Sequence, residues 1–207
     1  MKIKTILTPV SELLVLSPKS TAKEAVKIID ENGFLSLPVV DGTDFNGFLS
    51  KQFVYEEFFK QDALSFDDFM NKPVSEFLKM KVDVVDESLL IEDAANIFFN
   101  EKVRFLPVNK EGKFIGILTQ KALFKVLTKV YGLKDPKIVL YTDDFKGTLA
   151  KITEVISKNG GNITNIVHTD AEVMGLQEIN IRLKTDDVKS IVKKLDERGF
   201  KVNQVIE

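Results

Sequence analysis

No cysteine occurs among the 207 residues, and His168 is the only histidine. The first absence excludes disulfides, thiolate metal sites and cysteine nucleophiles. A lone imidazole argues against a histidine-rich zinc or iron centre. An excess of either charge is lacking too: 29 Lys and Arg stand against 31 Asp and Glu, a formal net charge of -2. No basic field therefore draws a nucleic-acid backbone or an anionic membrane. No apolar run approaches the ~20 residues of a membrane span, and Met1-Lys2-Ile3-Lys4-Thr5-Ile6-Leu7 lacks the apolar core of a secretion signal. A soluble, cytoplasmic chain is expected. What remains is ordinary globular composition, 44% hydrophobic and 29% charged, at a length that suits two small domains.

The chain repeats itself. Val15, Ala25, Ile28, Leu37, Pro38, Val39, Phe45, Gly47 and Leu49 recur 69 positions later as Val84, Ala94, Ile97, Leu106, Pro107, Val108, Phe114, Gly116 and Leu118. A repeat of that length is one supersecondary unit used twice. A unit of about fifty to sixty residues buries too little surface to be stable alone, so two copies are expected to pack together. Pseudo-twofold packing would leave crevices where the halves meet.

Each copy carries the same signals. Leu13 to Leu16 reads as a strand ended by Ser17-Pro18. Thr21-Ala22-Lys23-Glu24 is a capping box, and Ala22, Ala25, Val26 and Ile29 share one helix face that Gly33 closes. Leu35 to Val40 and Phe45 to Leu49 read as strands about an Asp41-Gly42 turn, and Ser50 caps a helix to about Lys60. In the second copy the strands are Val82 to Val85, Phe105 to Val108 and Phe114 to Leu118. Its helices are Leu90 to Asn100 and one that Thr119 caps and Gly132 stops. Gln61 to Pro73 reads as a polar connector anchored by Phe66 and Phe69.

After Asp135-Pro136 the pattern changes to βαββαβ. The strands are Lys137 to Thr142, Asn162 to Thr169, Gln177 to Leu183 and Phe200 to Ile206. The helices run from Gly147 to Lys158 and from a Thr185 or Asp186 cap to Gly199. That order implies an antiparallel sheet with both helices on one face.

Leu37-Pro38-Val39 with Gly47-Phe48-Leu49-Ser50, and Leu106-Pro107-Val108 with Gly116-Ile117-Leu118-Thr119, resemble the CBS domain pair, or Bateman module. The proline-to-glycine spacing is nine in both copies. Asp143-Asp144 before Gly147-Thr148-Leu149-Ala150, followed by Gly160-Gly161-Asn162-Ile163, resembles the ACT domain. The combination is similar to acetoin-utilisation-type CBS/ACT regulatory proteins. The resemblance implies an α/β and α+β architecture: two β-α-β-β-α CBS repeats at 1–72 and 73–133, then a ferredoxin-like ACT domain at 137–207.

It also implies a non-catalytic, homodimeric regulator with no obligate cofactor. Its CBS cleft would sense an adenosine ligand such as AMP, ATP or S-adenosylmethionine. The backbone around Leu37-Pro38 or Leu106-Pro107 would sandwich the base, and the Ser50 or Thr119 helix start would take the phosphate. Lys102 and Arg104 would add charge-assisted bonds. Copy one offers only Gly33 and Leu35 at those two positions, so the phosphate site is expected from copy two. The family pattern places a ribose-binding aspartate three residues after the Ser or Thr; here Phe53 and Ala122 stand there. Three readings stay open: a ligand held without that clamp, a ligand that is not a ribonucleoside, or a ligand-free scaffold that regulates a partner enzyme by contact. In the ACT-like tail Asp143, Gly147 and Asn162 are the candidate contacts for an amino acid or other small ligand. Against that, Asp143 and Asp144 have an ordinary use as favourable charges at a helix start.

Other groups carry less. His168 beside Asp170 has no nearby serine or cysteine nucleophile to serve. Glu56-Glu57, Asp67-Asp68, Asp86-Glu87 and Asp186-Asp187 sit at predicted helix ends or exposed faces and read as solvated surface. The tract Phe53, Phe58, Phe59, Phe66, Phe69 and Phe77 reads as core plus a surface that a second copy covers.

Overall fold

A computed structural model describes residues 1–61, 65–78, 83–101, 103–132, 134–143, 146–170 and 176–206. Compact packing divides the chain into Met1–Phe124 and Lys125–Glu207. The division falls inside one helix rather than at the Asp135-Pro136 step.

The first unit begins with a short strand, β1 (Thr8–Pro9), followed by α1 (Ala22–Asn32), β2 (Ser36–Asp41), β3 (Asp44–Ser50) and α2 (Lys51–Phe59). The expected capping box is formed: the Glu24 N–H donates to the Thr21 hydroxyl while the Glu24 carboxylate accepts from the Thr21 N–H. Gly33 closes α1 in the left-handed conformation, φ 64°. The strand expected at Leu13 to Leu16 is not formed. Leu16 makes a single bridge to Val39, and a 3-10 turn occupies Val10–Glu12. Ser17-Pro18 halts the pairing there, because proline has no N–H to extend the ladder.

The expected connector contains a helix, α3 (Phe66–Met70), which the Ser65 side chain caps by accepting from the Asp68 N–H. The second copy supplies β4 (Val85–Asp86), α4 (Ile91–Asn100), β5 (Phe105–Lys110), β6 (Lys113–Thr119) and α5 (Gln120–Val130). Val82, at the start of the predicted strand there, lies outside the described residues.

Strands β2 and β3 pair antiparallel, and the second copy builds a sheet in the order β1-β6-β5-β4. Its outer strand comes from the chain's start: Thr8 and Pro9 pair with Ile117 and Gly116. The Ile3 N–H donates to the Leu89 carbonyl, and the Ile91 N–H to the Met1 carbonyl. The segment ahead of repeat one thus completes repeat two.

The two faces of each hairpin have different fates. Leu37, Val39 and Leu49 enter the core of repeat one with Ala25, Ile29 and Phe69. Across β2 and β3 the cross-strand partners Pro38 and Phe48 lie on the opposite face, as do Pro107 and Ile117 in β5 and β6. Those faces meet. Phe48, Phe114 and Ile117 form a separate buried cluster with Val10, Leu13, Val40, Phe45 and Phe105 against it. Phe45 stacks on its repeat equivalent Phe114 at 5.2 Å, Phe48 lies 5.3 Å from Phe105, and the Phe114 N–H donates to the Thr43 carbonyl at 2.8 Å. Each ring pair contributes roughly 0.5–1.5 kcal/mol beyond its buried area. The seam between repeats is aromatic.

The second unit contains β7 (Lys137–Thr142), α6 (Thr148–Lys158), β8 (Asn162–Asp170), β9 (Gln177–Lys184), α7 (Val188–Glu197) and β10 (Val202–Ile206). Its antiparallel sheet runs β10-β7-β9-β8. Ile138, Leu140, Ile179 and Ile181 pack against Ile152, Ile156, Ile191 and Leu195 of the two helices. The cap of α7 is Asp187, not Thr185 or Asp186: its carboxylate accepts from the Ser190 N–H at 2.9 Å.

Candidate functional site

In the first unit a cavity of about 680 Å³ opens between the repeats. Its walls come from the end of α1 (Ile29, Asp30), the approach to β2 (Phe34, Leu35, Ser36), the β3–α2 junction (Phe48, Ser50, Lys51, Gln52, Tyr55) and the approach to β5 (Val103, Arg104, Phe105). That volume lies in the range of small-ligand pockets. Apolar side walls with a few convergent polar groups are the general composition of such sites.

Strand alternation places the polar groups. Ser36 and Ser50 are cross-strand partners on the seam face, whereas their neighbours Leu37 and Leu49 turn into the core. Ser50 caps α2, its hydroxyl accepting from the Phe53 N–H at 3.1 Å. The remaining free N–H groups of that turn and the helix dipole favour an anion. Lys51 Nζ donates to both oxygens of Asp30, at 2.8 and 3.1 Å. That hydrogen bond and the carboxylate's charge raise the Lys51 pKa above its ordinary 10.5. The Gln120 side-chain amide donates to the Val103 carbonyl at 3.2 Å and so steadies the segment that carries Arg104. Arg104 is exposed and makes no ion pair or hydrogen bond among the described residues. The Ser36 hydroxyl is shut off from solvent and has no partner among the described residues.

The sequence-predicted residues separate into three groups. Ser50 and Arg104 share the cavity. Leu37 and Leu106 are 2% and 1% exposed, and their side chains belong to the interior. The apolar walls come instead from Phe34, Leu35, Phe48, Tyr55 and Phe105, which the Leu-Pro signal did not mark. Pro38 and Pro107 are buried on the seam face, and Thr119 caps α5 through the Ala122 N–H at 3.0 Å. None of these three lines the cavity. The cavity brings Arg104 of copy two together with the α2 start of copy one, rather than with Thr119 of its own copy. Lys102 lies outside the described residues. Phe53, at the position of the missing aspartate, packs on the repeat-one core with its ring 6.4 Å from Phe77.

In the second unit Gly147 precedes α6 in the left-handed conformation, φ 85°, and Asp143 is exposed just beyond β7. Asn162 does not join them. Register places Thr142 against Gln177 and Asn162 against Lys184, roughly 20 Å apart along β9 at ~3.3 Å per residue. Asn162 lines a different depression, with Ala150, Thr153, Ser157 and Gly161. Within one chain Asn162 therefore stands apart from Asp143 and Gly147; Asp144 lies outside the described residues. His168 contacts the Gln177 side chain at 2.8 Å on the sheet. No metal-holding group of acidic or histidine side chains occurs, and no helix is long and apolar enough to cross a membrane, among the described residues.

The CBS domain family model matches residues 3–52 and 67–129. An inosine-5'-monophosphate dehydrogenase of Korarchaeum cryptofilum is 25% identical over 77% of this chain, which spans only 32% of that enzyme's length. A 17.7 kDa protein of Acidianus ambivalens is 27% identical over 71% of this chain and 84% of its own. Among solved structures, CBSX2 in complex with AMP is 27% identical with a TM-score of 0.52, covering 62% of this chain and 97% of that one. A CBS domain protein from Streptococcus pneumoniae TIGR4 is 28% identical with a TM-score of 0.54, covering 61% and 86%.

Proposed function

Because the chain belongs to the CBS domain family, we propose that it is a non-catalytic regulatory protein whose inter-repeat cavity senses an adenosine nucleotide. One observation carries this reading. Arg104, without a hydrogen-bond or ion-pair partner among the described residues, and the Ser50-capped start of α2 line one aromatic-walled cavity of about 680 Å³. Arg104 and the helix start provide for a phosphate, and Phe34, Phe48, Tyr55 and Phe105 offer surfaces for a flat base. The likeness to a CBS structure in complex with AMP supports the same ligand class.

Binding would act by population shift. A ligand that touches both repeats favours the arrangement in which Arg104 and Ser50 are closest, by its differential affinity for that state. The second unit, with its βαββαβ order and β10-β7-β9-β8 sheet, supports assignment as an ACT-type domain that receives a small ligand near Asp143 and Gly147 or pairs with a second copy. We assign the protein to the cytoplasm as a homodimer.

Thermal unfolding of the full chain with AMP, ATP, S-adenosylmethionine and amino acids tests the proposal. A ligand at about a hundred times its Kd stabilises by about 2.7 kcal/mol, and a shift of several degrees is expected with one adenosine ligand. Arg104→Ala and Ser50→Ala should abolish it, whereas Thr119→Ala should leave most of it. No shift with any adenosine ligand favours a scaffold that regulates a partner by contact. The core position of Phe53 is the observation on that side.

A further inference from the structure

The second unit has a cavity of its own, about 360 Å³, in the trough between α6 and α7. Its walls are the body and C-terminal end of α6 and the end of α7, away from Asp143 and Gly147. Lys151, Glu154 and Lys158 recur at i, i+3 and i+7 on one face of α6. Lys194, Glu197 and Arg198 line the other side, from α7 and its C-cap. Val155 and Phe200 pack on the core of the unit and give the cavity its apolar part. The volume suits a small organic molecule.

The charges around it do not cancel, since four cations stand against two carboxylates. Each carboxylate already has a partner: Lys158 pairs with Glu154, and Lys194 donates to Glu197 at 2.7 Å. Those two lysines occupy the last turns of their helices, where the dipole favours a cation. Lys151 has neither reason. It stands in the first half of α6, and its side chain makes no hydrogen bond or ion pair among the described residues. The Arg198 side chain makes none either. The Lys158 hydrogen bond, and more weakly the Arg198 charge, hold the Glu154 carboxyl below its ordinary 4.5. A ligand with one negative charge would answer one of the two free cations; a dianion answers both. The geometry points to a binding site for a small organic dianion in this trough, with Lys151 and Arg198 on its charged groups and Val155 and Phe200 against its apolar body. Phosphate esters and aromatic dicarboxylates share that chemistry. The site is independent of the nucleotide cavity in the first unit.

The experiment is titration of the isotopically labelled full chain with phenyl phosphate, phthalate, inorganic phosphate and phenol, followed by amide chemical shifts in low salt. It is run at about pH 7.5, where a phosphate monoester is a dianion. Phenyl phosphate or phthalate is expected to shift amides around Lys151, Val155 and Arg198 saturably, and the tighter of the two assigns the ester or the dicarboxylate. Inorganic phosphate, which has no apolar body, should bind several-fold more weakly, and neutral phenol should not saturate. Lys151→Ala and Arg198→Ala should each weaken the better probe about ten-fold, the low end for a hydrogen bond to a charged group. Glu154→Gln removes a competing charge and should tighten it. Lys193→Ala, on α7 but outside the cavity, and Arg104→Ala, in the other unit, should leave this response unchanged. The amide spectrum itself reports whether each variant is folded. Shifts spread evenly over the surface lysines, or an affinity unaltered in Lys151→Ala and Arg198→Ala, would overturn the site. So would phenol binding as tightly as phenyl phosphate, or no saturable shift with either dianion.

Discussion

Ser36 shows how one side chain can be costly to the fold and useful to a site. Its hydroxyl is shielded from water and unpaired among the described residues, and an unsatisfied polar group of that kind costs about 1–3 kcal/mol. Ser36→Ala is therefore expected to leave thermal stability unchanged or to raise it by up to about 1 kcal/mol, the low end of that range. A clear loss of stability in a denaturant titration would mean that the hydroxyl has a partner in solution. Glu178 is a second case, in the other unit. Hydrogen bonds from the Asn180 amide and then the Tyr141 hydroxyl hold its pKa below the ordinary 4.5. A carboxylate whose pKa is lowered on folding stabilises above its unfolded value, and that contribution fades as pH falls through the folded one. Glu178→Gln should thus flatten the loss of stability as pH falls below the unfolded Glu value of about 4.3. The group is open to solvent, so the effect is small. The family resemblance marked Ser50 and Arg104, which line the cavity, as candidate ligand contacts. It could not separate them from Leu37 and Leu106, because which face of a strand meets the seam depends on the partner that packs there.

Among the elements, α1, α2, the β2–β3 and β5–β6 hairpins and the whole βαββαβ tail were legible, because they carry local signals: a cap, an apolar period, or a glycine at a turn or helix end. Helix α3 was not. Its five residues are too few to show a period, and Ser65-Phe66-Asp67-Asp68 reads equally well as a polar loop. Strand β1 was invisible for a different reason. Two residues, Thr8 and Pro9, pair with a sheet more than a hundred positions away, and nothing local announces such a partner. Gly116 makes this docking possible. A Cβ there would lie 2.2 Å from the Thr8 carbonyl oxygen and 3.0 Å from the Pro9 Cα. Gly116→Ala is expected to displace β1 and to destabilise the first unit by about 2 kcal/mol or more, the range of forced overpacking. Hydrogen exchange would report it: amides at Ile3 and Ile91, bonded to Leu89 and Met1, should lose protection before those of α1. Undiminished protection at Ile3 would contradict the steric account.

Over the whole molecule, the duplication predicts its own seam. Phe45 and Phe114 are equivalent positions in the two copies, and they stack on each other. Phe114 is 4% exposed, so Phe114→Ala should cost about 3–5 kcal/mol as other buried Phe truncations do. The double variant Phe45→Ala/Phe114→Ala should fall short of the sum of the singles by about 0.5–1.5 kcal/mol. Strict additivity in urea titrations would show that the two rings do not share one seam. The amino-acid order was enough to establish that a unit was used twice, that each copy alternates strand and helix, and that a βαββαβ segment follows. Those properties are written in short-range periodicity. Which wall of each hairpin became core and which became cavity, and that Arg104 of one copy shares a cavity with Ser50 of the other, depended on how the copies pack. A strand has two faces of nearly equal pattern, and only burial against a distant partner distinguishes them.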